Sequence, residues 1–310
     1  MVGDGKVALD CLRILHSRPA AELVRVYCHP DQQGADRTRG FCEREGIPFR
    51  FVDNVNDAPV LAELKDLAPH LFFTIGSPDI LRAPLLEIPR EAVVNFHNGP
   101  LPDLRGVNVP SWAIWLGATE HAVTWHLVEE GIDTGSTLAE RRFPIRAEET
   151  AISLIFTCVR EGVDLFGEMI DDLLAGEIHA TPQVGPSNYF SRKDVPNEGV
   201  LDFSWPLEKA DRLVRALDFR PFENPLSYPK VVTEEGTFAA HRLKPWREWE
   251  GGAPPGTFLG SAEEGIHVAF ADGAALLKNL TDLEGEVLEG PEVAERFSLV
   301  RGSRLGQGEG

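Results

Sequence analysis

Residues 93–138 read VVNFHNGPLPDLRGVNVPSWAIWLGATEHAVTWHLVEEGIDTGSTL, and the fold follows from how this stretch is interpreted. Two largely apolar runs, Val93–Phe96 and Val123–Val128, are rich in Val, Phe and Trp and read as buried strands. Each ends in a polar, turn-forming loop. His97-Asn98 leads into Gly99-Pro100, and Glu129-Glu130-Gly131 leads into Asp133-Thr134-Gly135. Parallel pairing would send both loops from one carboxyl edge of the sheet, where open α/β sheets place their ligands. That arrangement predicts Asn95, His97 and Asp133 at one cleft.

Such a trio suits a narrow chemistry. An amide NH2 can hold a carbonyl oxygen as it becomes an oxyanion. An imidazole can donate to that oxygen or move a proton. A carboxylate can fix the imidazole's tautomer or relay a proton from an attacking amine. The set holds no hydroxyl or thiol nucleophile, which favours direct acyl transfer to an amine over a covalent acyl-enzyme. The bland alternative is an ordinary turn with a satisfied histidine, followed by an ordinary Asp-x-Gly turn.

The ordered set Asn95-x-His97, Leu101-Pro102-x-x-Arg105-Gly106, Ala122-Val123-Thr124 and Asp133-Thr134-Gly135 resembles the 10-formyltetrahydrofolate-dependent formyltransferases. That family includes methionyl-tRNA formyltransferase and enzymes acting on glycinamide ribonucleotide, nucleotide-linked amino sugars and natural-product amines. Ala122 stands where many members have glycine. The resemblance spans the chain to about Val300. It implies a Rossmann-like parallel-sheet α/β domain followed by a small β-barrel of the oligonucleotide-binding kind. It implies Asn95, His97 and Asp133 as catalytic residues and 10-formyltetrahydrofolate as formyl donor, with no metal. It also implies a pterin site built largely from backbone groups of Ser77, Pro78, Asp79, Ile80 and Leu81, and of Val128, Gly131 and Ile132. Gly99, Pro100, Leu101, Arg105, Trp112 and Arg215 are the candidates for holding the acceptor. For Arg105 and Arg215 the competing reading is a structural ion pair, and for Trp112 it is the core.

Composition narrows the partners. The chain has 310 residues, 43% hydrophobic, with a formal net charge of −19. Phosphate backbones are gripped chiefly by Lys and Arg, so this balance argues against a nucleic-acid partner and ranks a tRNA acceptor last. Four cysteines without paired spacing argue against a disulfide framework or zinc site and for a reducing compartment. No apolar run reaches the roughly 18 residues a spanning helix needs, and no signal peptide is visible; the expectation is a cytoplasmic protein without a membrane partner.

Along the chain, Met1–Gly5 reads as the end of a strand entering a glycine turn, which suggests that the native start lies upstream. A helix follows over Lys6–Ser17. Strands are expected at Leu23–Cys28, Ile47–Val52 and Leu71–Ile75, with helices between them, the rhythm of parallel crossovers. Pro110–Leu116 reads as a helix. His126, inside a strand, is a candidate for supporting the trio rather than joining it. Thr150–Leu174 is the clearest helix, with Ile152, Ile155, Phe156, Val159, Val163, Phe166, Ile170 and Leu173 on one stripe. The expected division is a catalytic domain over 1–180, a linker over 181–205, a β-rich domain over 206–300 and a disordered glycine-rich tail over 301–310. Within 206–300, short apolar stretches at Phe238–Leu243, Gly256–Leu259, Gly265–Phe270 and Ala274–Leu280 read as strands after a helix at Pro206–Leu217.

The favoured function is transfer of a formyl group to a primary amine or hydroxylamine of a small amino-acid-derived or natural-product acceptor. A nucleotide-linked amino sugar is the next candidate and methionyl-tRNA the last. Two different classes stay open: hydrolysis of the formyl donor, and a binding module that keeps only the fold.

Overall fold

The computed structural model describes residues 1–32 and 34–306, in two compact units. The first comprises Met1–Gly106, Glu120–Pro144 and Ile155–Tyr189, and the second Val107–Thr119, Ile145–Leu154 and Phe190 onward.

In the first unit the chain runs β1 (Val2–Gly3), α1 (Gly5–His16), β2 (Val26–Cys28), α2 (Ala35–Glu45), β3 (Phe49–Phe51), α3 (Ala58–Leu67), β4 (Leu71–Ile75), α4 (Ala83–Leu86), β5 (Ala92–His97) and β6 (Leu104–Gly106). The helix α5 (Val109–Trp115) belongs to the second unit; β7 (Glu120–Leu127) and β8 (Thr137–Pro144) return to the first. The helix α6 (Ala151–Leu174) and β9 (Asn188–Phe190) follow.

The main sheet has the order β3-β2-β1-β4-β5-β7-β8. Its first five strands are parallel, as the alternating strand and helix segments predict. The expected parallel pairing of Val93–Phe96 with Val123–Val128 is corrected. β7 runs antiparallel to β5, with Asn95 opposite His126 and His97 opposite Thr124, and β8 is antiparallel to β7. The reason is the connection: residues 98–119 carry the chain from the carboxyl end of β5 to a β7 that starts at that same end.

One face of the sheet is covered by α6. Phe166 packs edge-on to Phe73 at 5.5 Å and against Trp125 at 4.8 Å, and the Trp125 indole donates to the Gly162 carbonyl at 3.0 Å. A Cβ at Gly162 would sit 2.2 Å from the Phe96 ring, so the close approach of α6 to β5 needs glycine there. Phe156, on the apolar stripe in sequence, is 53% exposed.

In the second unit α7 (Leu207–Ala216) is followed by β10 (Lys230–Thr233), β11 (Gly236–Pro245), β12 (Phe258–Ala262), β13 (Gly265–Ala269), β14 (Ala274–Thr281), β15 (Val287–Leu288) and α8 (Gly290–Arg296). The strands form one antiparallel curled sheet, β10-β11-β14-β13-β12, with β15 on β14. Its core gathers Phe203, Leu213, Phe238, Phe258, Ile266, Phe270 and Leu277. Helix α8 begins with a Glu289/Glu292 capping box, a signal present in the sequence but not read there.

Two segments depart from expectation. The span 181–205 is not a bare linker: Thr181 bridges Thr137, and β9 lies within it. In the tail, 307–310 lie outside the described residues, but Arg301–Gly306 is ordered by packing: Leu305 is 3% exposed and its N–H donates to the Gly256 carbonyl at 2.8 Å.

Candidate functional site

The cluster predicted from sequence exists, although the strands that build it are antiparallel. β5 presents Asn95 and His97 on one face, two residues apart, as the pleat requires. Register places His126 of β7 directly beside Asn95. Past the end of β7 the loop 128–136 doubles back and returns Asp133 to both imidazoles. Asp133 Oδ2 lies 3.5 Å from His97 Nδ1, and Oδ1 lies 3.5 Å from His126 Nε2.

Hydrogen bonds set the protonation pattern. His97 Nε2 lies 2.7 Å from the Leu104 carbonyl, which can only accept, so Nε2 carries the hydrogen and Nδ1 keeps a lone pair toward Asp133. The tautomer is therefore fixed by the Leu104 carbonyl and not by Asp133 as the sequence reading allowed. His126 Nδ1 likewise donates to the Leu127 carbonyl at 2.8 Å, leaving Nε2 to accept from the Asn95 amide at 3.0 Å. One Asn95 amide hydrogen is thus committed and the other is available. Burial pushes His97 below the usual imidazole range, against the pull of Asp133. For Asp133 burial alone would raise the pKa; the His126 contact, the field of His97 and the Gly106 N–H outweigh it and bring it down to about 2. A neutral imidazole beside an ionised carboxylate is the resting state near neutrality.

The Asp133 loop is held by specific contacts. Asp133 adopts φ +53, a left-handed conformation costly for a non-glycine residue. Its carboxylate takes the Gly106 N–H at 2.9 Å, and the Gln183 amide donates to the carbonyls of Asp133 at 3.0 Å and Gly135 at 2.7 Å. A Cβ at Gly135 would meet the Leu127 carbonyl oxygen at 1.9 Å, so no side chain fits there. Gln183 had no sequence signal, since it lies in the span read as linker.

The other candidates sort by what they already touch. The Gly99 and Pro100 carbonyls are taken by the Thr124 hydroxyl and the Leu104 N–H, and Leu101 is 6% exposed; these three build the turn rather than offering groups to an acceptor. Arg105 pairs with no carboxylate among the described residues, and its buried Nε has no partner. The expected ion pair is therefore absent there. Trp112 and Arg215 belong to the second unit. Trp112 stacks on Phe190 at 4.1 Å, and Arg215 binds Asp211 at 2.6 Å and the Glu149 carbonyl at 2.9 Å, the structural alternative in each case.

Both loops expected to hold a pterin rest on one apolar cluster: Leu81 and Val128 pack on it together with Phe72, Leu85 and Val93. The Val128 N–H bonds Val93, but the peptide groups of Gly131 and Ile132 make no hydrogen bond to the described residues. In the other loop Ser77 Oγ takes the Asp79 N–H at 3.3 Å, the Ile80 carbonyl takes the Asn56 amide at 3.1 Å, and the Ile80 side chain is 67% exposed. The Asp79 carboxylate turns inward, to the Val55 N–H at 2.9 Å and His29 Nε2 at 2.8 Å.

Comparison with known proteins decides the family. Residues 6–166 match the formyl transferase family and 195–298 match the formyl transferase C-terminal domain. The chain belongs to the formyl transferase family. It is 31% identical over 296 residues to the methionyl-tRNA formyltransferase of Myxococcus xanthus, covering 93% of this chain and 89% of that protein. It is 30% identical over 313 residues to the Synechococcus enzyme of the same name, covering 98% and 94%. Among solved structures, an N-formyltransferase from Helicobacter canadensis, in complex with folinic acid and dTDP-3-aminofucose, superposes with a TM-score of 0.69 at 21% identity, over 89% of this chain and 97% of that one. HypX from Aquifex aeolicus, in complex with tetrahydrofolic acid, gives 0.63 at 21%, over 88% of this chain and 47% of that one. This formyl transferase is thus an enzyme of one-carbon transfer. No helix among its described residues is long and apolar enough to cross a membrane.

Proposed function

We propose that this formyl transferase moves the formyl group of 10-formyltetrahydrofolate to the amine or hydroxylamine nitrogen of a small amino-acid-derived or natural-product acceptor. The observation that carries the transfer chemistry is the Asn95–His126–Asp133–His97 cluster, with one uncommitted amide hydrogen and one imidazole lone pair. The free peptide groups of Gly131 and Ile132 and the exposed Ile80 suit the polar edge and flat face of a pterin, so the chain fits a folate donor.

The acceptor nitrogen forms a bond to the formyl carbon, and the carbonyl oxygen becomes an oxyanion against the free Asn95 hydrogen. The nitrogen's proton passes along the Asp133 carboxylate to His97 Nδ1. A carboxylate held near a pKa of about 2 relays a proton without keeping it, and its charge stabilises the imidazolium. Collapse breaks the bond to N10, which takes the proton from His97.

The net charge of −19 favours a small acceptor over a whole tRNA. A second reading, methionyl-tRNA, is favoured by the relatives at 30–31% identity over nearly the whole chain. Incubation with 10-formyltetrahydrofolate separates the two. Formylation within a panel of amino acids, hydroxylamines and amino sugars supports the small acceptor. Transfer to charged initiator tRNA alone replaces it with the tRNA reading. Folate release without any amine points to hydrolysis.

A further inference from the structure

A second buried histidine–carboxylate cluster lies in the first unit, and the transfer chemistry does not use it. The carboxyl ends of three adjacent parallel strands each supply one member. Asp4 follows β1, His29 follows β2 and Asp79 lies in the loop after β4. His29 Nδ1 is 3.0 Å from Asp4 Oδ2, and Nε2 is 2.8 Å from Asp79 Oδ2. The His29 side chain is 7% exposed, Asp4 4% and Asp79 11%.

Both ring nitrogens face carboxylate oxygens at hydrogen-bond length. A neutral imidazole has one N–H and can satisfy one of them; the imidazolium satisfies both. Burial works against the charge, but the bonds to Asp4 and Asp79 outweigh it and hold His29 above its ordinary value. Asp4 is raised by burial, against the His29 bonds. The groups facing His29 are these two carboxylates. Cys28, in the field of Asp4, is pushed up to about 12 by burial and stays a neutral thiol.

Asp79 belongs to the loop Ser77–Leu81, and it also takes the Val55 N–H, while Asn56 holds the Ile80 carbonyl and the Arg82 N–H. This loop is therefore tied at Asp79 to the turn after β3 and, through His29, to the turn after β1. We infer that His29, clamped as an imidazolium between Asp4 and Asp79, is a positioning residue that holds the Ser77–Leu81 loop in the shape that receives the folate donor. The inference rests on the folate reading above. His29 itself reacts with nothing; it sets the affinity for the donor.

The sign of the pH dependence follows. A histidine raised in the folded state contributes fully below about 6.5 and loses its contribution as pH rises through its raised value. Donor binding should therefore weaken on the alkaline side.

The test uses the whole chain, with tetrahydrofolate binding measured by calorimetry and donor kinetics measured against pH. His29→Ala, with Asp4→Asn as a second variant should the first fold poorly, is expected to raise the donor KM by about tenfold, with kcat within about twofold. The alkaline loss of donor affinity seen in the wild type should vanish in His29→Ala and move to lower pH in Asp4→Asn, whose histidine keeps only the Asp79 carboxylate. Amide exchange over residues 77–82 should quicken in the variants. A wild type that binds tetrahydrofolate, with variants that bind it equally tightly and keep the alkaline limb, overturns the clamp alone. A kcat loss at unchanged donor KM overturns it too. A wild type that binds no tetrahydrofolate overturns the folate reading, and this inference with it.

Discussion

Two buried histidine–carboxylate clusters sit in the same unit and are built in opposite proportions. At the candidate transfer site one carboxylate, Asp133, faces two imidazoles, each at 3.5 Å. At the other, one imidazole, His29, lies between two carboxylates at 3.0 and 2.8 Å. The first is loose: the Asp133 contacts to both imidazoles are long at 3.5 Å, one amide hydrogen is uncommitted, and a lone pair is unprotonated. The second is closed, with each ring nitrogen already paired. A group that must exchange protons needs the first kind of setting, and a group that must hold a loop needs the second. Their electrostatics diverge accordingly. Asp133 is driven down and His97 with it, so the pair rests ionised and neutral; His29 is driven up, toward the charged form.

The comparison breaks most sharply if His97 or Asp133 can be lost. His97→Ala or Asp133→Ala should reduce transfer by roughly two to four orders of magnitude while leaving the melting profile near wild type. Turnover within a few-fold of wild type would remove the site. Asn95→Ala should cost about two to three orders in kcat, the size of a lost oxyanion donor.

His126→Ala sharpens the comparison, because it acts through Asn95. A drop of about tenfold to a hundredfold in kcat is expected, with donor KM unchanged, and His126→Gln should recover part of it by accepting from the same amide. An unchanged kcat in the alanine variant would show that Asn95 needs no such support.

Acid should weaken the first unit. His121, at 1% exposure, has its pKa pushed down to about 4 by burial. Its contribution to stability is complete above about 6.5 and is lost as pH falls toward 4, by up to about 3 kcal/mol. His97 acts in the same direction. Chemical denaturation at pH 7 and pH 4.5 should show this loss, and His121→Gln should reduce it. The smallest effect is expected from Gln183→Ala: a few-fold fall in kcat from a looser Asp133 loop, read in steady-state kinetics.

The sequence by itself determined which chemistry is present. Short continuous apolar runs marked β4, β5 and β7 within a few residues, since burial on both faces leaves little room for polar residues, and a 3.6-residue stripe marked α6. The order of Asn95, His97 and Asp133 named the candidate set before any geometry was known. Strand direction was not legible, because a short apolar strand reads the same either way. The antiparallel β7 thus came only from the fold, as did the doubled-back loop that rescues the convergence. Nor could local patterns reveal Gln183, or the meeting of Asp4, His29 and Asp79. His29 lies 25 positions after Asp4 and 50 before Asp79. Side chains that far apart are joined only when parallel crossovers bring three strand ends to one edge, and that is a property of the sheet order rather than of any segment in it.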